Sequence, residues 1–357
     1  MPWFGYAMAM DGRCNVCPRR CDLARGPAFC GGWELAPEGP RSILAGQVAS
    51  WSVDPIEKKP VWYFRPGTRV LSLGTWGCTL RCRHCLNADL AWARGPGVVE
   101  VPWTPEDVVR LAREHDCAGI AWTTTEAAPW WPFVVETSRA MRKAGGYTVL
   151  VTNGFYTAEA LAELLPWLDV WRVDLKAWNE AAYRTLMGTD PGLRPAATAR
   201  ERTLQARQAG VHVEIVTCLV PGYHDTVDSL TPLADWIHDA LGPETPWHLL
   251  RFHPQHRMRD IPPYGAGAAR QIAAALGTRG LTRVHVGGEA TKGGPASTTG
   301  LRAYDWQGPD GRFLRLVADP ATGRIGFVGD EDLLEQVLAS CRAEGLALTI
   351  GRSARCG

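Results

Sequence analysis

Cys78, Cys82 and Cys85 fall within eight residues, in the stretch Gly-Thr-Trp-Gly-Cys-Thr-Leu-Arg-Cys-Arg-His-Cys. Thiolates at this density suit an iron-sulfur cluster, which normally takes four of them. With no fourth cysteine beside them, three ligands leave one iron open to an exogenous molecule, and an open position separates a reactive metal site from a closed structural one. Three buried thiols or a zinc knuckle are the alternatives. A second group, Cys14, Cys17, Cys21 and Cys30, supplies a full set of four. That set is structural by default. Zinc or a second iron-sulfur cluster would satisfy it, and zinc is the expected occupant, because a segment so poor in apolar periodicity needs a metal to fold.

The elements that must position these cysteines follow from the hydrophobic pattern. Residues 1–66 are rich in Cys, Gly and Pro and form a Cys-rich metal-binding segment. From Val70 onward, short apolar runs alternate with amphipathic stretches, which predicts βα units and a parallel sheet. Strands are expected near 70–74, 118–123, 147–152, 169–175, 212–220, 247–252 and 283–287. Helices are expected near 105–115, 131–144, 157–166, 196–209, 228–240 and 265–277. Thr104-Pro105 opens the first of these with an N-cap and a proline at the first helical position. The fold class is α/β: a partial (β/α)6 TIM-type barrel over residues 67–300, with reactive groups at the C-terminal strand ends. Beyond it, 301–357 is expected to form a small α+β appendage, a hairpin (312–317 and 324–328) followed by a helix over about 331–343.

Bulk composition narrows the function classes. The 357 residues carry 38 Lys and Arg against 37 Asp and Glu, a net charge of +1, so there is no electrostatic footprint for nucleic acid or an anionic membrane. No apolar run approaches the ~18 residues of a membrane span, and no secretory leader opens the chain, so a cytoplasmic location is expected. Eleven cysteines, seven of them in the two clusters, read as reduced metal ligands rather than a disulfide framework. Cys117 and Cys218 are expected to be buried small side chains.

The CxxxCxxC spacing of Cys78, Cys82 and Cys85 resembles the signature of the radical S-adenosylmethionine (SAM) superfamily. That resemblance implies a 4Fe-4S cluster whose unique iron binds SAM, and reductive cleavage of SAM to a 5′-deoxyadenosyl radical. It gives roles to polar residues at the strand ends. Glu126, in Thr-Thr-Thr-Glu, is expected to accept from the SAM ammonium, with Thr124 and Thr125 beside it; the alternative is a helix N-cap. Asn153 offers an amide to the ribose or forms a turn with Gly154. Asp174 and Lys176 share a strand face; Lys176 would pair with the SAM carboxylate while Asp174 orients it or holds a cation, the alternative being a plain ion pair. Arg251 and His253 reach the same rim toward adenine or substrate. Glu214, a charge inside an apolar strand, needs a partner and is a substrate-site candidate.

From Cys14 to Gly288 the chain resembles the radical SAM component of the AmmeMemoRadiSam system and, more distantly, the activating enzymes of pyruvate formate-lyase and other glycyl radical enzymes. The stretches that carry this are Cys-Pro-Arg-Arg-Cys, Asp-Pro-Ile-Glu-Lys-Lys-Pro, the cluster loop, Thr-Asn-Gly, Val-Asp-Leu-Lys, Leu-Val-Pro-Gly and Arg-Phe-His-Pro. His84 stands where an aromatic residue usually precedes the third cysteine. The resemblance implies an enzyme that abstracts hydrogen, with an electron donor such as flavodoxin or ferredoxin. A small-molecule substrate is expected, in a chamber lined by Glu214, Arg251 and His253 with Trp76 and Trp122 as aromatic walls. The rival readings are an activase that installs a glycyl radical on a partner protein, and a non-catalytic iron-sulfur or zinc module.

Overall fold

The computed structural model describes residues 12–93 and 102–287, and the backbone of three further strands beyond 301. The described residues divide into two compact units.

The larger unit holds residues 12–54 with Arg69–Val286. Its N-terminal part is a two-stranded antiparallel hairpin, β1 (Trp33–Ala36) and β2 (Gly39–Ser42), preceded by the cysteine-rich turns. An eight-stranded sheet follows. In spatial order from one edge it runs β3 (Ser50–Pro55), β4 (Arg69–Gly74), β5 (Gly119–Trp122), β6 (Tyr147–Thr152), β7 (Val170–Asp174), β8 (His212–Leu219), β9 (Trp247–Arg251) and β10 (Val284–Val286). From β4 to β10 every neighbouring pair is parallel and consecutive in sequence, the open (β/α)6 series expected.

The connecting helices are α1 (Ala88–Ala91), α2 (Pro105–Glu114), α3 (Trp131–Lys143), α4 (Ala158–Leu164), α5 (Glu180–Met187), α6 (Pro195–Gln208), α7 (Val227–Trp236) and α8 (Ala266–Gly277). Helix α2 starts where Thr104 and Asp107 close a capping box ahead of Pro105, which satisfies orphan backbone donors of the first turn. Thr226 and Ser229 do the same for α7. The sequence pattern passes over α5, a short helix between two loops.

Strand alternation sorts the sheet into two faces. Leu71, Leu73, Ile120, Trp122, Leu150, Trp171, Val173, Ile215, Trp247 and Leu249 point at the helices and form the main core. Each fully buried aliphatic or aromatic side chain there contributes about 1.5–3 kcal/mol. The opposite face carries Ser72, Ala121, Val149, Val151, Arg172, Asp174, Glu214, Val216, Cys218 and His248, and it is polar. Trp122 therefore belongs to the core. It is 1% exposed, edge-on to Trp130 and Phe133, with its indole donating to Ser138. This corrects the expectation that it walls a substrate chamber. Trp76 is partly buried against the same core.

The smaller unit groups Pro55–Thr68 with the strands beyond 301. Strands β11 (Arg302–Gln307), β12 (Phe313–Asp319) and β13 (Arg324–Gly329) form an antiparallel meander. Its second and third strands are the hairpin expected from sequence; β11 is an addition, and the helix expected over 331–343 lies outside the described residues.

Candidate functional site

The cysteine triad occupies the loop after β4, at the C-terminal end of the parallel strands. Arg81, between the first two cysteines, holds this loop in shape: one guanidinium nitrogen donates to the carbonyls of Cys78 (2.7 Å), Leu80 (3.0 Å) and Ala91 (3.3 Å). Its other nitrogen donates to the Phe29 carbonyl at 2.7 Å. Gly77 has φ +84°, and an added Cβ would run into the Cys30 carbonyl, so only glycine lets the two cysteine-bearing segments meet. Arg19 adds a bond from its Nε to the Thr79 carbonyl at 3.0 Å. The N-terminal cysteines thus sit directly against the triad loop.

Burial pushes the Cys78 thiol up, and the Glu126 carboxylate and the Cys82 thiol push it further. Burial also raises Cys82, to about 11, opposed by the Lys176 ammonium, which acts on Cys85 as well. Three thiols and one lysine therefore share one electrostatic neighbourhood. In the N-terminal group burial raises Cys14 to about 12 and Cys30 to about 11, with mutual repulsion among the thiols adding to both. Among the described residues no three or more His, Cys, Asp or Glu side chains are drawn together as ligands of one metal ion. A cuboidal cluster gives each thiolate its own iron.

Each strand tip then adds polar groups. Beyond β5, Thr124 takes φ +69°, and Thr125 donates to the Thr75 carbonyl at 2.7 Å, tying this tip to the triad loop. Glu126 is 3% exposed, and its carboxylate is engaged by the chain itself. Oε1 accepts from the Ala127 N–H (3.1 Å), Thr152 Oγ1 (2.8 Å) and the Tyr156 hydroxyl, and Oε2 from the Asn153 N–H (2.9 Å). Burial still holds its carboxyl above the usual range. Glu126 is thus a brace between the β5 and β6 tips, and Oε2, with a single donor, is its more open acceptor.

Asn153 takes the turn position ahead of Gly154, its Oδ1 accepting from the Phe155 N–H at 2.9 Å. Its amide donates to Thr79 Oγ1 at 3.0 Å and lies 3.7 Å from Cys78 Sγ, so it supports the triad loop.

At the end of β7, Asp174 accepts from Arg172 Nη1 (2.6 Å) and Lys176 Nζ (3.2 Å). Burial opposes ionisation of Asp174, but the two cations win and hold its carboxyl below the usual range. For Lys176 burial is likewise overridden, chiefly by Asp174, and its ammonium is held well above the ordinary lysine range. Arg172, unremarked in the sequence, makes this a triad that aims Lys176 at the cysteines. Arg251 closes β9 half-buried, level with Leu219, and His253 is exposed two residues beyond it.

Glu214 lies elsewhere. It is the third residue of β8, level with Arg172 and a full pleat below the level of Asp174. It is fully buried, accepting from His212 (2.9 Å) and His248 (2.7 Å). Burial would raise its pKa, yet these two bonds bring it down to about 2. A cavity of about 150 Å³ opens near His212 at the N-terminal strand ends, remote from the thiols. The placement of Glu214 at the rim is therefore corrected: it braces the sheet interior.

Sequence reasoning also missed His224, which follows β8. It is 3% exposed and lies within electrostatic reach of Lys176 and of His84. Burial lowers the pKa of His84 to about 3 and that of His224 to about 4, so both rings are neutral donors at physiological pH.

The chain is similar to known proteins. The Radical SAM superfamily pattern matches residues 73–237. An uncharacterized protein of Methanocaldococcus jannaschii, MJ0808, is 34% identical over 276 residues, covering 77% of this chain and 80% of that one. The pyruvate formate-lyase 1-activating enzyme of Escherichia coli K12 is 30% identical over 196 residues, covering 53% of this chain and 75% of that enzyme. The chain belongs to the radical SAM superfamily. Members of this superfamily use a 4Fe-4S cluster and SAM. Among solved structures, a radical SAM methyltransferase from Sphaerobacter thermophilus aligns at TM-score 0.49 and 16% identity, covering 66% of this chain and 70% of that one. Streptococcus suis SuiB bound to SAM aligns at 0.47 and 14%, covering 65% of this chain and about half, 53%, of that one. The donor set of the β4 loop fits the superfamily's cluster: three thiols on one braced loop, beside a lysine whose charge favours the ionised form of Cys82 and Cys85.

Proposed function

We propose that this protein is an enzyme in which Cys78, Cys82 and Cys85 hold a 4Fe-4S cluster and SAM binds at the polar strand tips, for hydrogen abstraction from a substrate. The observation that carries this reading is the convergence of the three thiols with the Asp174-oriented ammonium of Lys176. When bound, the reduced cluster and SAM supply a 5′-deoxyadenosyl radical. The chain's own residues bind and orient. Lys176 offers its ammonium to the SAM carboxylate, Asp174 and Arg172 fix the direction of that ammonium, and Glu126 Oε2 is the acceptor for the SAM ammonium. Thr124, Thr125 and Asn153 keep the β4, β5 and β6 tips in register around the ligand. Phe252 is buried edge-on to His84 and helps to exclude water from the thiols.

The substrate is proposed to be a small organic molecule, supported by the compact inner face above Glu214, where Val151, Asp174 and Cys218 remain partly exposed. Arg251 and His253 are its candidate anchors. Identity to the pyruvate formate-lyase 1-activating enzyme supports a second reading, a glycyl radical installed on a partner protein. In the N-terminal segment, Cys14, Cys17, Cys21 and Cys30 are proposed to hold a second metal centre, zinc or an iron-sulfur cluster. A small redox protein such as flavodoxin or ferredoxin is the proposed electron donor. Anaerobic reconstitution with iron and sulfide, reduction, and quantification of methionine and 5′-deoxyadenosine test the central reading. Failure to cleave SAM with a fully loaded cluster would reject it.

A further inference from the structure

Cys218 is the seventh residue of β8, and strand parity puts it on the inner face. Its neighbour Thr217 points the other way, donating to the Leu175 carbonyl at 2.8 Å and accepting from the Trp247 indole at 3.0 Å. Because Val216 is level with Asp174, Cys218 stands one pleat higher, beside Lys176. It packs in the same apolar cluster as Cys78 and Cys82, with Leu80 and Phe252 among its members. The thiol remains partly exposed and within electrostatic reach of Lys176, Asp174 and Cys82. A second group points into this spot. His224 is 3% exposed, with one ring nitrogen turned to the backbone of Cys218 and the other left without a hydrogen-bond partner.

We propose that Cys218 is a hydrogen-atom donor to carbon radicals formed in this chamber, with His224 positioned to bind a polar group of the molecule that carries the radical. The proposal rests on the radical SAM reading above. An S–H bond is weaker than an aliphatic C–H bond, so transfer to an alkyl radical runs downhill. The new C–H bond forms as the S–H bond breaks homolytically, leaving a closed-shell product and a thiyl radical on Cys218. One electron from the low-potential one-electron reductant that feeds the cluster, and one proton from solvent, return the thiyl to thiol.

The test needs no substrate. Cluster-loaded, reduced enzyme cleaves SAM in deuterium oxide, where the thiol becomes S–D, and the 5′-deoxyadenosyl radical itself is the carbon radical. Isotope content, rather than rate, is read by mass spectrometry of 5′-deoxyadenosine. Deuterium at the 5′ carbon is expected from wild-type enzyme and from Cys117→Ala, and its loss from Cys218→Ala and Cys218→Ser, the hydroxyl bond being too strong to donate. Unlabelled product from wild type, or label retained in both Cys218 variants, overturns the proposal. Absence of 5′-deoxyadenosine from wild type instead rejects the radical SAM reading, and this inference with it. A nitrone spin trap on wild-type enzyme supplies a variant-free readout: peptide mapping should place the adduct on Cys218, and adducts confined to other residues overturn the assignment.

Discussion

Arg81 stacks its guanidinium over the Phe29 ring at 4.4 Å while donating to the Phe29 carbonyl at 2.7 Å, so one side chain from the triad loop grips the N-terminal cysteine segment. The same guanidinium holds three carbonyls of its own loop and neighbourhood. Charge-assisted hydrogen bonds contribute about 1.5–3 kcal/mol each. Arg81→Met is therefore expected to lower iron incorporation at the triad and to reduce the melting temperature together. Iron content and a thermal melt on the reconstituted protein check this, and a variant with full iron and an unchanged melt would contradict it.

Replacing Cys78, Cys82 and Cys85 with Ala should abolish the absorption and paramagnetic signature of the 4Fe-4S cluster while sparing metal bound by Cys14, Cys17, Cys21 and Cys30. Elemental analysis of that variant is expected to give about one zinc per chain and little iron. Four irons would make the N-terminal segment a second cluster domain, and a full iron complement with both signatures intact would remove the triad from the assignment.

Lys176→Ala should weaken SAM binding by about a hundredfold, the equivalent of ~2–3 kcal/mol for leaving a carboxylate unpaired in a partly dry site. Glu126→Ala is expected to do two things at once, since removing the carboxylate also orphans the donors of Thr152, Asn153 and Tyr156. Titration calorimetry and thermal melts on both variants separate these effects. A Lys176→Ala protein that binds SAM as wild type does would rule out the pairing.

Glu214 predicts a pH dependence at the sheet interior. Its folded pKa, about 2, lies below the ordinary glutamate value of ~4.3. The stability it contributes is fully present above the unfolded value and is lost as pH falls through about 4 toward 2. Chemical denaturation across that window should show a smaller slope in Glu214→Gln than in wild type, and equal slopes would refute the assignment.

The cysteine spacing, the βα alternation and the polar strand tips were legible in the sequence because each is local. Ligand spacing is set within one loop, and strand and helix periods within one element, so the order of β4 to β10 and the triad followed directly. Alternation along β7 likewise put Asp174 and Lys176 on one face. What the linear pattern could not decide was depth and facing. Glu214 and Asp174 look alike as charges inside apolar strands, and only register with β9, which brings His248 to Glu214, separates an interior brace from a rim group. Trp122 ends its strand beside the tip, yet parity turns it toward Trp130 and Phe133. Arg81 and Cys218 act through contacts with residues far apart in the chain, such as Arg81 with Phe29, and composition carries no trace of such partners. The chemistry was written in local spacing; which side chains stand beside it was decided by how the strands align.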